Sequence, residues 1–210
     1  MLTISVPAAD RGLLTAAELR AAAGLEIGDT SRDTELAGVG LTVADTISEW
    51  CNVAGDGITQ VTLLRETVIE TFRPTCSTRR PLILARRFLG TVSVVENDVT
   101  LDAADFVILP GAGMLNRLSN DRPSCWPSGK IVVTYQAGFA DVPTPLASVA
   151  AEMVARKTGA ARDPMTKMER IEQPGVETIE RQFWVDADQA VEITPDMESK
   201  LEKYRTIAGV

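Results

Sequence analysis

The chain has 210 residues, of which 45% are hydrophobic and 24% charged, and its formal net charge is −8. These values fit one domain, or one domain with an appendage, whose core needs neither disulfides nor a metal. The acidic balance disfavours nucleic-acid binding through a basic surface, and the lack of histidine removes the commonest general base and metal ligand.

The three cysteines, Cys51, Cys76 and Cys125, are widely spaced and odd in number. Neither a disulfide framework nor a zinc site is therefore expected. The sequence also lacks a long apolar run and the plan of a signal peptide, which predicts a protein made in a cytoplasm without membrane contact. We expect Cys51 to be a small core residue and Cys125 to be exposed or half-buried.

Three helices are predicted, over residues 15–24, 31–52 and 145–158. Thr15 and Glu18 match the capping box that opens a helix. Gly38 and Gly40 lie inside the second helix, and their best use is close packing against another helix, which we expect to be the third. Gly159 is expected to end that third helix.

A β-rich region is predicted over residues 58–136. Its expected strands are a run from 61 to 71 that Arg65-Glu66 interrupts (one bent strand or two), then 81–84, a hairpin of 91–95 and 99–101, 106–109, and 131–136. The last strand organises the region, because the earlier strands supply its pairing partners. Residues 116–127 are expected to form a polar, turn-rich loop with Trp126 in the core.

Residues 160–210 are predicted to extend from a core over 1–159. Residues 176–185 alternate in character and indicate a strand, and Pro195 opens a last short helix. Because this extension has little apolar material of its own, we expect it to dock on another chain. The expected contact residues are Ile179, Phe183, Trp184, Met197, Leu201, Tyr204 and Arg205. The predicted fold is thus α+β, a small bundle of two or three main helices with a β-rich insertion and an extended C-terminal strand/helix arm.

Carboxylates are the remaining candidates for chemistry. Asp102 and Asp105 are close in sequence, as are Asp186 and Asp188. A glycosidase needs two carboxylates that face each other across a cleft, whereas most acidic residues lie in turns and on surfaces. We therefore expect no catalytic residue, cofactor or metal, and keep a carboxylate-dependent hydrolase as the alternative.

Two basic pairs, Arg79-Arg80 and Arg86-Arg87, are the local concentrations of positive charge. They could contact phosphate in a nucleic-acid-binding module or an acidic partner. More often such pairs form a solvated face, and the charge balance of the chain disfavours nucleic-acid binding.

Five segments, in this order, carry a resemblance: LLTAAELRAAAGL, ELAGVGLTVADTISEWC, PLILARRFLGTVSVVENDVTLDAADFVIL, IVVTYQAGFADVPTPL and ITPDMESKLEKYR. Together they resemble the head–tail connector (adaptor) family of long-tailed bacteriophages, or the equivalent adaptor of a gene transfer agent. The resemblance covers most of the chain and rests on packing and turn patterns.

This resemblance implies a structural subunit without enzymatic activity. The family forms a ring beneath the portal, of about twelve copies if portal symmetry is matched, which binds a tail-completion or stopper protein below and links capsid to tail. DNA passes through the ring without sequence-specific binding. The resemblance places the subunit in the virion neck after synthesis in the bacterial host cytoplasm, and a phage-associated hydrolase is the alternative.

Overall fold

The computed structural model describes residues 1–26, 28–75, 77, 80–162, 168–171, 179–182 and 193–206, with 160–162, 168–171 and 179–182 described by their backbone alone. The chain divides into two compact units. We call Met1–Arg11, Ile47–Pro143 and Glu202–Val210 the sheet unit, and Gly12–Thr46 and Thr144–Leu201 the helical unit. The α+β class is as predicted. The functional division into residues 1–159 and 160–210 stays a prediction.

The sheet unit holds nine strands in its described part. In chain order they are β1 (Leu2–Val6), β2 (Glu66–Phe72), β3 (Leu82–Ile83), β4 (Val92–Glu96), β5 (Val99–Thr100), β6 (Phe106–Leu109), β7 (Met114–Ser119), β8 (Arg122–Pro123) and β9 (Ile131–Ala137). One antiparallel sheet has the order β1-β2-β9-β4-β5. The other has the order β3-β7-β6, and β8 pairs with β7.

Strand β9 is the centre of the five-stranded sheet, as its sequence predicts. It pairs with β2 from Glu66–Ala137 to Phe72–Ile131, and with β4 on its other side. Alternate residues of β9 are buried, which is the pattern of a strand with one face on the core. That core also contains Val68, Val94, Leu115 and Trp126, all fully buried, so the predicted core position of Trp126 is confirmed.

Strand β2 corrects the prediction for residues 61–71. The interrupted run is a single strand that begins at Glu66, after a bridge between Leu64 and Phe139. Its buried face carries Glu66, Val68 and Glu70, while the alternating residues between them are only half-buried. Two glutamates face inward because other core side chains hold their carboxylates, as described below.

Two tight turns connect strands of this unit. The predicted hairpin is confirmed, with Asn97 and Asp98 at φ 48° and 69° between β4 and β5. The predicted loop over 116–127 is wrong, because β7 and β8 form a second hairpin that turns at Asn120-Asp121, with φ 50° and 60°. The polar Arg117 is tolerated within β7 because its guanidinium binds the carboxylate of Glu96 at 3.0 Å.

The helical unit is built from α1 (Ala16–Ala22), α2 (Asp33–Trp50, up to Thr46 in this unit), α3 (Thr144–Arg162) and α4 (Pro195–Leu201). Strands β10 (Met168–Ile171) and β11 (Ile179–Gln182) pair antiparallel with each other. Helix α3 contacts both α1 and α4. The capping box is present, since Glu18 N donates to the Thr15 hydroxyl and Thr15 N donates to the Glu18 carboxylate.

Three glycine predictions have different outcomes. Gly40 packs closely on a helix, but the partner is Leu19 of α1 rather than the third helix, with a methyl 3.0 Å from where a Cβ would stand. Gly38 faces open space. Gly159 does not end α3, which continues to Arg162, because a helix tolerates one glycine at a modest cost.

Candidate functional site

The structure describes the side chains of four of the seven predicted interface residues. Met197 and Leu201 are fully buried, Tyr204 is buried and Arg205 is exposed. Ile179 lies in β11, and Phe183 and Trp184 lie outside the described residues. The short helix that Pro195 opens is confirmed. Contact of these residues with another chain stays a prediction, and three of them already pack within their own chain.

Tyr204 ends a short 3-10 turn over Glu202–Tyr204 and joins an aromatic cluster in the sheet unit. Its ring lies edge-on to Phe139, with centroids 5.6 Å apart, and 6.1 Å from Phe88. Phe88 and Phe139 stack at 4.5 Å. Aromatic pairs in these geometries stabilise a fold beyond their buried area, so Tyr204 anchors the end of the described chain.

Polar contacts hold the same 202–206 segment. Thr206 N donates to the Cys51 carbonyl at 2.8 Å, and the Asn52 side chain donates to the Thr206 carbonyl at 3.2 Å. Arg87 Nη1 donates to the Arg205 carbonyl at 2.6 Å. The Arg205 guanidinium lies 5.3 Å from the centre of the Trp50 ring, within cation–π range. The segment is therefore docked by both apolar and polar contacts.

A small cavity lies beside this segment. Its volume is about 20 Å³, and Thr62, Arg86, Phe88 and Tyr204 are among the residues that line it. Such a cavity has room for one water molecule. Arg86, one of the lining residues, has its Nε buried without a hydrogen-bond partner in the structure.

A buried ion pair joins β2 of the five-stranded sheet to the segment that follows β3. Arg86 Nη2 lies 2.8 Å from Glu66 Oε2, and the two side chains are 4% and 1% exposed. Arg86 Nη1 also donates to the Thr62 carbonyl at 2.8 Å. Burial raises the pKa of Glu66, and the charge of Arg86 opposes that shift. The pair places two opposite charges in the core, where each is expensive alone.

Glu70 is the second buried carboxylate. It accepts hydrogen bonds from the Tyr135 hydroxyl and from Ala85 N, the latter at 2.8 Å. Burial raises the pKa of Glu70 and also that of Tyr135. Both carboxylates are thus held by groups of their own chain, which is the arrangement of a structural network rather than of an open acid–base pair. Neither glutamate was predicted as a site residue. The available signal was their spacing, because residues four apart in a strand lie on the same face.

The aspartate and arginine pairs noted in the sequence show no catalytic or phosphate-binding arrangement among the described residues. Asp105 accepts from Asp102 N at 3.3 Å in a local turn, and it lies 3.5 Å from Arg117. Asp186, Asp188 and Arg79 lie outside the described residues. Both interpretations of Arg86 are wrong, because it is neither solvated nor available to phosphate, whereas Arg87 donates to the Gly111 carbonyl at 2.7 Å.

The thiols follow their predictions where the structure describes them. Cys51 is fully buried, and burial raises its pKa to about 12, while Cys125 is half-buried. Within the described ranges no cluster of three or more Cys, Asp and Glu residues is placed to hold a metal ion. No helix in that described part is long and apolar enough to cross a membrane.

Comparison with known proteins gives structural neighbours alone. No family model and no curated protein matches the sequence. The chain is similar to a chain in the virion of a native gene transfer agent particle, with a TM-score of 0.56 and 16% identity over 100% of this chain and 97% of that one.

Two neck structures give similar values. One is the neck of an empty gene transfer agent particle computed with C6 symmetry, at TM-score 0.55, and the other is the native neck computed with C12 symmetry, at 0.54. Both align at 16% identity over 100% of this chain and 97% of theirs. The likeness shows a shared fold, and at that level the resemblance found in the sequence is confirmed.

Proposed function

We propose that this chain is a structural subunit of the neck of a gene transfer agent or tailed-phage particle. One observation carries the proposal: the fold matches neck-particle chains along 100% of this chain and 97% of theirs. The two buried carboxylates also support a structural role, because Glu66 accepts a hydrogen bond from Arg86 and Glu70 accepts one from Tyr135.

In this proposal the subunit is an adaptor in a closed ring of twelve copies. The C12 symmetry of one neighbouring neck structure supports the number, and the C6 symmetry of the other is compatible with it, because six-fold symmetry is contained in twelve-fold symmetry. The ring binds the portal above and a tail-completion protein below, and lines the channel through which DNA leaves. The net charge of −8 supports passage without binding, since an acidic wall repels phosphate.

The C-terminal part of the proposal assigns the docking surface to residues 160–210. Met197, Leu201 and Tyr204 are buried within their own chain, so the exposed Arg205 and the residues before α4 are left for docking. The paired strands β10 and β11 fall within this stretch of the chain. We expect Ile179, Phe183, Trp184 and Arg205 to contact the portal.

The test is assembly with the cognate portal protein, followed by mass photometry and negative-stain electron microscopy. The proposal predicts rings of this chain stacked on one end of the portal. A Phe183→Ala/Trp184→Ala variant should lose that complex while keeping its urea unfolding midpoint, and Ile58→Ala, at a 92% exposed position, is the matched control. A wild-type chain that never binds the portal, even at high concentration, would refute the proposed function.

A further inference from the structure

Both faces of the small four-stranded sheet are largely apolar, with Arg117 on the inner face and Asn116 on the outer one. Its inner face carries Leu82, Phe106 and Leu115, which belong to the core of the sheet unit. Its outer face carries the alternate residues of the same strands, among which Ile83, Val107 and Leu109 are 54%, 44% and 47% exposed. A sheet with one free face normally alternates apolar and polar residues, so this outer face departs from the pattern of a solvated sheet.

Strand register places the exposed apolar residues side by side. Met114 of β7 pairs with Ile83 of β3 on one side and with Leu109 of β6 on the other. Two residues along β7, Asn116 pairs with Val107. Leu118 continues the same face. We call these six residues the outer face: Ile83, Val107, Leu109, Met114, Asn116 and Leu118.

We propose that the outer face is the surface on which a second copy of this chain packs in the neck ring. This inference rests on the proposed function. None of the six side chains is charged, whereas each copy carries a net charge of −8. Because like charges repel, a second copy of this acidic chain packs at a lower electrostatic cost on a surface without charge than on one that carries acidic side chains. DNA is disfavoured as the occupant, because phosphate binding requires cationic groups.

The size of the outer face makes it one part of a larger contact between copies. Strand spacing of about 4.8 Å and a rise of about 3.3 Å per residue give the outer face an area of roughly 200 Å². A standard interface buries about 800 Å² on each partner, so the outer face is the apolar centre of an interface and needs a polar rim. Interfaces between identical subunits have the more apolar centres. A contact of this size is weak for an isolated pair and becomes stable when a ring closes on a template.

Ring symmetry above two-fold makes this contact heterologous, so the outer face of one copy meets a different surface of the next. A copy with a damaged outer face therefore keeps its other surface and still joins one neighbour. It ends the growing ring at that point. Such a variant should inhibit ring assembly by the wild-type chain when the two are mixed. A variant that fails to fold would not inhibit it.

The experiment compares Leu109→Glu and Ile83→Glu with the control Ile58→Glu in ring assembly on the cognate portal. We expect each outer-face variant to form rings at least tenfold less than wild type, at an unchanged urea midpoint, and to reduce wild-type rings in a one-to-one mixture. Ile58→Glu should assemble normally. Amide hydrogen exchange in Phe106–Leu109 should slow in the wild-type ring relative to the free chain.

The outcomes separate the two proposals. Rings from wild type and equally from both outer-face variants, with no slowing of exchange in β6, would overturn the outer-face proposal and leave the proposed function standing. A wild-type chain that forms no ring on the portal would instead refute the proposed function.

Discussion

Glu66 and Arg86 form an ion pair that is almost wholly removed from solvent, with 2.8 Å between Oε2 and Nη2. Removing one partner leaves the other charged and buried, which costs about 3–5 kcal/mol in such pairs, whereas replacing both with apolar residues is often neutral. We therefore expect Arg86→Met to lower the free energy of unfolding by about that amount, measured by urea denaturation.

The double variant Glu66→Leu/Arg86→Met should recover most of that loss. The control is Arg32→Met, which breaks an exposed pair with Glu35 and should change the urea midpoint little. A double variant no more stable than Arg86→Met alone would show that the pair is not the source of the destabilisation.

The carboxylate of Asp56 should contribute to the free energy of unfolding in a way that depends on pH. Its carboxylate accepts hydrogen bonds from Thr59 N at 2.7 Å and Ile58 N at 2.9 Å, and these lower the pKa of Asp56 to about 2. The ordinary pKa of 3.8 applies in the unfolded chain, so the folded state binds this proton less readily. The stabilisation is present above pH 3.8 and is lost as the pH falls through about 2.

We expect Asp56→Asn to lower the urea midpoint at neutral pH, and the difference from wild type to narrow as the solution is acidified below the unfolded pKa. Asp141→Asn, at an exposed position, is the control and should show no such convergence. A difference between Asp56→Asn and wild type that stays constant with pH would contradict the assignment.

Alanine substitutions at two glycines of α2, Gly38 and Gly40, should change the free energy of unfolding in opposite directions. Gly38 faces open space in a helix interior, so Gly38→Ala should stabilise the protein by about 0.5–1 kcal/mol. Gly40→Ala would place a methyl 3.0 Å from the Leu19 side chain and should destabilise it by about 1 kcal/mol. In a Leu19→Ala background the destabilisation caused by Gly40→Ala should disappear, which a double-mutant cycle measures. Equal effects of the two alanines would exclude the close packing of α1 on α2.

Tyr204 should govern access to Cys51. Truncating a buried aromatic residue to alanine costs about 3–5 kcal/mol, and Thr206 N of the same segment binds the Cys51 carbonyl. In a Cys76→Ser/Cys125→Ser background, we expect Tyr204→Ala to speed labelling of Cys51 by a thiol reagent. Leu115→Ala, another buried position of the sheet unit, controls for global unfolding. If Tyr204→Ala and Leu115→Ala label at the same rate when their unfolding free energies are equal, the 202–206 segment does not shield the Cys51 thiol.

Local signals in the sequence predicted the features that depend on neighbouring residues. The Thr15–Glu18 capping box, the Asn97-Asp98 turn and the alternation in β9 each need a few adjacent residues, and all are present. The second hairpin had an equally local signal in Asn120-Asp121, both of which tolerate positive φ. The polar residues around Asn120-Asp121 made the segment resemble a loop, because the residues that bind them, such as Glu96 for Arg117, are remote in sequence.

Features that depend on remote partners could not be read from the sequence. Glu66 faces the core because Arg86 meets it there, and Arg117 fits a strand because Glu96 binds it. Tyr204 was predicted to contact another chain, whereas its partners Phe88 and Phe139 come from distant loops of its own chain. Because Tyr204 is buried there, a truncation of the C-terminal extension would damage the sheet unit, so substitutions at Phe183 and Trp184 test docking more cleanly.

Cryo-electron microscopy of the particle that contains this chain, at a resolution that traces side chains in the neck, tests the proposed ring most directly. We expect twelve copies of this fold in one ring between portal and tail, with the outer face of each copy covered by the next. A neck in which this chain is absent, or present as isolated copies without a ring, would contradict it.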